Sequence, residues 1–121
     1  MSLQAYTRMH SGVAVIEFEG PITLGEGSAL LRERVMKAVA EGHKGILLDL
    51  EGVSYIDSGG LGELVSCNAV ADARGADVKL LHLQKRVHGL LQITKLITVF
   101  ETFEDEEQAI RSFSRSRAAE A

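Results

Sequence analysis

The chain is poor in the residues that usually announce chemistry. Its single cysteine, Cys67, cannot form an internal disulfide, and within a helical pattern it reads as a small buried residue. The four histidines, His10, His43, His82 and His88, fall at no regular ligand spacing and beside no cysteine pair, which argues against a zinc site. No apolar run is long enough to span a bilayer and no secretory leader is recognisable, so the expectation is a cytoplasmic protein without membrane contact. The formal net charge is −4, and basic residues do not cluster ahead of the last few positions, so direct binding to nucleic acid is not expected. Catalytic signatures are missing as well. Ser58 does not sit in a Gly-x-Ser-x-Gly elbow, although spacing alone leaves His82 and His88 free to approach it in space. Gly59-Gly60-Leu61-Gly62 lacks both the third glycine of a dinucleotide fingerprint and the Gly-Lys-Ser/Thr of a P-loop, so no cofactor is expected and no enzyme is read here.

What the chain does have is enough apolar material for one core. With 121 residues, 45% of them hydrophobic, it suits a single compact domain over 1–121 and is short for two. Strands are expected at about 4–10 and 12–19, joined as a hairpin at Gly12. A helix follows over about 25–40, with Leu31, Val35, Ala38 and Val39 on one stripe and Gly42 placed to end it. Ile46 to Leu50 has no helical period and reads as a strand buried on both faces. Further strands at 77–83 and 97–100 alternate with helices after Ser58, at 85–93 and at 105–113. The acidic run Glu104 to Glu107 offsets the dipole at the start of the last helix. This alternation predicts an α/β fold: a mixed, mostly parallel sheet of about five strands with about four helices packed on it. The core should run from about 3 to 113, with 114–121 a frayed tail.

The stretch Val53-Ser54-Tyr55-Ile56-Asp57-Ser58-Gly59-Gly60-Leu61-Gly62 stands out, because it sets one hydroxyl where a strand ends and a helix begins. Unpaired amides and the positive end of the dipole at such a terminus suit a phosphate on Ser58, and Gly59, Gly60 and Gly62 would let another backbone come close. Serine before a helix is equally what simple N-capping asks for, so the residues themselves leave a cap and a phosphate acceptor both open. Upstream, Thr23-Leu24-Gly25-Glu26 matches a capping box, with the threonine hydroxyl as the cap. Ser54 reads as a structural or rim hydroxyl near the strand end.

The run Val53 to Leu64 resembles the signature of the STAS domain, specifically that of the bacterial anti-sigma factor antagonists. The resemblance extends upstream through Phe18-Glu19-Gly20-Pro21-Ile22-Thr23 and downstream through Val78-Lys79-Leu80-Leu81 and Val87 to Leu91, from about Leu3 to about Phe113. It implies that Ser58 is phosphorylated by a partner anti-sigma factor, itself a serine kinase that holds the ATP. The unphosphorylated protein would bind that kinase and free a sigma factor, phosphorylation would break the complex, and a separate phosphatase would restore it. The implied partner surface comprises Thr23, Ser54, Asp57, Ser58, Gly59, Gly60, Leu61 and Gly62. Two positions depart from the family pattern. Gly59 stands where many members carry a second serine, and Thr23 where many carry an aspartate. A second reading keeps the STAS module but makes it a scaffolding element of a stress-signalling assembly with no anti-sigma partner.

Overall fold

A computed structural model describes residues 2–120, with side chains described through Ser114. β1 (Gln4–His10) and β2 (Val13–Glu19) form the expected antiparallel hairpin. Its turn places Ser11 and Gly12 at φ 50° and 82°, the left-handed conformation that matches the twist of the paired strands. The chain then alternates through α1 (Glu26–Ala40), β3 (Gly45–Gly52), α2 (Ser58–Ala73), β4 (Asp77–Leu81), α3 (Lys85–Ile93), β5 (Thr102–Phe103) and α4 (Glu106–Glu120). The five strands lie in one sheet in chain order, with β2 to β5 parallel. This is the mixed, mostly parallel α/β arrangement expected.

Period-two alternation assigns the core to both faces of the sheet. Ala14, Ile16, Ile46, Leu48, Leu50 and Leu80 face α1, α2 and α3, where Leu31, Val35, Leu64, Val87 and Leu91 meet them. Val13, Val15, Leu47 and Leu81 face the other way and are covered by Ala109, Ile110 and Phe113 of α4. Each fully buried leucine or isoleucine contributes roughly 1.5–3 kcal/mol relative to exposure, so the double-sided burial of β3 makes it the centre of the fold. Lys79 is buried on the α4 side, where its ammonium reaches Ser112 Oγ at 3.0 Å, Glu101 at 2.6 Å and the Phe113 ring centroid at 4.7 Å. Burying that charge is tolerable because it is paired.

Four expectations need correction. Residues 97–100 are not a strand: a 3-10 turn covers Leu96–Thr98, and the last strand is displaced to Thr102–Phe103. Lys95 at φ 65° redirects the chain, and the apolar residues Leu96 and Phe100 then point inward at a helical spacing, not an alternating one. β4 ends at Leu81, short of 83: His82 still donates its N–H to the Phe103 carbonyl at 2.9 Å, but its φ of 57° turns the chain out of the strand, with its Nδ1 3.1 Å from Asp49. Thr23 does not cap α1. The N-cap is Gly25 at φ 108°, and Ser28 Oγ accepts from the Gly25 N–H at 3.1 Å, while Thr23 offers its backbone carbonyl to the Ser28 N–H. Finally, α4 extends beyond the expected 113 to Glu120. The fraying expected over 114–121 falls, after Ser114, on residues whose side chains lie outside the described ones. Asp105 starts that helix as expected of an acidic cap, its carboxylate accepting from the Gln108 N–H at 2.9 Å.

Candidate functional site

Past the ends of β2 and β3, the two chains continue side by side as irregular parallel segments. Gly20 N–H donates to the Gly52 carbonyl at 3.0 Å, Ile22 N–H to Tyr55 at 3.0 Å and Asp57 N–H back to Ile22 at 3.2 Å. The 20–24 and 52–57 loops are thus laced together directly over the buried Ile22 and Ile56. Asp57 closes the lacing. Its carboxylate accepts from the Gly60 N–H at 2.8 Å and from the Leu24 N–H at 3.1 Å, so one side chain caps α2 and pins the neighbouring loop. Those amide donors, Gly60 first and Leu24 next, hold the Asp57 carboxyl below its ordinary value.

Asp57 is therefore the N-cap of α2, and Ser58 is the first residue of the helix. The capping reading of the serine hydroxyl is corrected accordingly. Ser58 is exposed, and its hydroxyl makes no hydrogen bond among the described residues. The Gly60 amide that the sequence offered to a phosphate is already taken by Asp57. His82 is held by Asp49, and among the described residues neither His82 nor His88 hydrogen-bonds to Ser58.

The glycines serve the chain itself more than was expected. A Cβ on Gly60 would lie 2.1 Å from the Ile22 carbonyl oxygen, and one on Gly59 would lie 2.6 Å from Leu24 Cβ. Both are small because the 20–24 loop packs on them, and Gly60 and Leu61 are buried from any partner. Gly62 is exposed, with open space where a Cβ would be. Ser54 is exposed on the same loop, and Thr23 is half-buried. Two residues missed in the sequence belong to this surface: Leu24, 77% exposed, and Tyr55, 47% exposed. An apolar residue between Thr23 and Gly25, where loops favour polar side chains, was the available signal for the first.

Other sites are weaker. The Cys67 thiol is buried beside Glu63, which together push its pKa up to about 12 and keep it protonated. Among the described residues, no group of three or more His, Cys, Asp or Glu side chains is placed to hold a metal ion, and no helix is long and apolar enough to cross a membrane.

The STAS domain model matches residues 4–109, the hairpin, the site and most of the helices included. The chain belongs to the STAS domain family. Among curated proteins, an anti-sigma F factor antagonist of Paenibacillus polymyxa is 23% identical over 111 residues, which cover 91% of this chain and 94% of that protein. An anti-sigma factor antagonist from Mycobacterium paratuberculosis superposes with a TM-score of 0.82 at 18% identity, covering 93% of this chain and 95% of the other. The Bacillus cell fate determinant SpoIIAA, solved in its phosphorylated form, gives a TM-score of 0.67 at 20% identity, covering 90% of this chain and 99% of that one.

Proposed function

We propose that this STAS domain is an anti-sigma factor antagonist switched by phosphorylation of Ser58. The unphosphorylated form binds a serine-kinase anti-sigma factor in the cytoplasm and so releases a sigma factor; the phosphorylated form lets go, and a phosphatase resets it. One observation carries the reading: the cap of α2 is supplied by Asp57, which leaves the Ser58 hydroxyl exposed and without an internal partner. The named relatives, and the phosphorylated state of one of them, support the same assignment.

The chemistry divides between the two proteins. Ser58 Oγ takes the γ-phosphoryl group of ATP held by the kinase, an O–P bond forming as the bond to ADP breaks. The hydroxyl proton passes to a base of the kinase, because Asp57 is committed to two amides and is a weakened base. The product carries roughly −1.5 to −2 charges beside the Asp57 carboxylate, which in a close interface brings repulsion and desolvation cost.

The test is intact-mass and peptide mass spectrometry after mixing the protein with ATP and each anti-sigma kinase of its own host, with Ser58→Ala as control. One phosphate on Ser58, absent from the control, is the expected result. A folded protein that accepts none from any candidate, and binds none, would move the assignment to a scaffolding STAS module.

A further inference from the structure

We propose that the groove between the 53–56 loop and α3 seats an acidic, apolar segment of the same anti-sigma partner, as a second contact beside Ser58; this rests on the reading that the partner docks over Ser58. The groove encloses about 310 Å³, with Tyr55 and Ile56 on one wall and Leu90 and Ile93 on the other. Ile93 is 84% exposed, continuing the line of Leu90 out into solvent at a helical spacing. A large aliphatic side chain so placed gains nothing from this fold.

Two further features of α3 break local rules without an internal return. Gly89 lies in the helix interior, where glycine is the poorest helix former after proline, yet a Cβ there would meet nothing within 4 Å. Packing inside the chain does not require it, and it lines the groove. Lys85 and Arg86 occupy the first turn of α3, where the dipole disfavours cations, and no acidic residue shares that turn. Both are exposed, and neither forms an ion pair among the described residues. In a chain of net charge −4, two uncompensated cations at the rim of an apolar groove select a ligand with carboxylates flanking an apolar anchor.

Continuity identifies whose segment it is. Tyr55 and Ile56 run directly into Asp57 and Ser58, and three residues of chain reach at most about 11 Å. A standard interface of about 800 Å² per partner is wide enough to take in Ser58 and the groove together.

The experiment uses the kinase that phosphorylates Ser58, titrated by calorimetry at low and high salt against the wild type, Gly89→Leu, the double variant Lys85→Glu/Arg86→Glu, and Ser58→Asp. Gly89→Leu fills the groove and should weaken binding at least tenfold. The charge reversal should do the same at low salt, with a smaller loss at high salt. The two reversed residues are exposed, so that variant keeps the test alive if Gly89→Leu fails to fold. Groove variants that bind like the wild type while Ser58→Asp binds weakly would overturn the groove and leave the switch standing. A wild type that binds no candidate kinase would remove both. A wild-type dimer that Gly89→Leu dissociates would assign the groove to a second copy of this chain and overturn the inference.

Discussion

Asp57 and Gly60 show how closely the site depends on single atoms. The Asp57 carboxylate reaches the Gly60 amide only because Gly60 lies flat under the Ile22 carbonyl, and any side chain at 60 would collide with that oxygen at 2.1 Å. Gly60→Ala should therefore cost about 3 kcal/mol or more, since backbone on both sides must move. Gly62→Ala, two residues on in the same helix with nothing within 4 Å, should instead stabilise by roughly 0.5–1 kcal/mol. Urea unfolding of the pair checks this, and similar values for both would mean that the 20–24 loop does not rest on α2. In the sequence these glycines look alike, as a small-residue run inviting a partner. Their difference lies in which of them the 20–24 loop crosses, a long-range fact that no local pattern in residues 58–62 records.

At the scale of elements, β1 and α4 meet through charge at a seam. Arg8 grips Glu106 through both terminal nitrogens, at 2.6 and 2.8 Å, and reaches Glu17 at 2.8 Å, while His10 adds a bond to Glu106. The Arg8 hydrogen bonds, with the smaller help of His10, hold the Glu106 carboxyl at about 2, below its ordinary 4.5. A carboxyl depressed in the folded state contributes stability above its unfolded value and loses it as protons bind the folded form. The advantage of the wild type over Glu106→Gln should thus be full near neutrality and vanish as pH falls from about 4.5 towards 2. Because Arg8 is 41% exposed, the neutral-pH gap should be only about 1 kcal/mol. Thermal melts of the two proteins across that range decide it, and a gap constant with pH would detach Glu106 from the seam.

The same scale separates what the sequence made legible from what it did not. β3 was readable as a short run from Ile46 to Leu50 without helical period, buried on both faces, and the stripes of α1 and α4 because burial imposes a helical period on Leu31, Val35 and Ala38 and on Ala109, Ile110 and Phe113. The segment after α3 was misread because a short apolar cluster, Leu96 to Phe100, carries no period long enough to distinguish a turn of helix from a strand. Thr23 matched a capping pattern that the helix does not use: Asp57, 33 residues from Leu24, draws the Leu24 amide, and the helix starts at Glu26 with Gly25 as its N-cap. Ser58 was found from its neighbours and its resemblance, whereas its freedom from capping required knowing that Asp57 had taken that role.

For the molecule as a whole, the question is whether the phosphorylation proposed for Ser58 would act by reshaping the fold or by changing one patch of its surface. Beneath Ser58 the lacing of residues 20–24 to 52–57 rests on Ile22, Ile56 and Leu64, each 4% exposed or less, so the site sits on close-packed core. Such interiors yield little to a group added outside them. The Ser58 hydroxyl caps nothing, so esterifying it removes no hydrogen bond among the described residues, and the Gly60 amide stays with Asp57. The new charge thus has no internal lever by which to move the sheet. Hydrogen exchange of the phosphorylated and unphosphorylated forms should differ only at amides of about 22–25 and 55–62, where the field of the phosphate reaches, with β1, β3 and α4 unchanged. Ser58→Ala should melt within about 0.5 kcal/mol of the wild type for the same reason. Protection lost across β3 on phosphorylation would overturn this, because it would require the switch to act through the core.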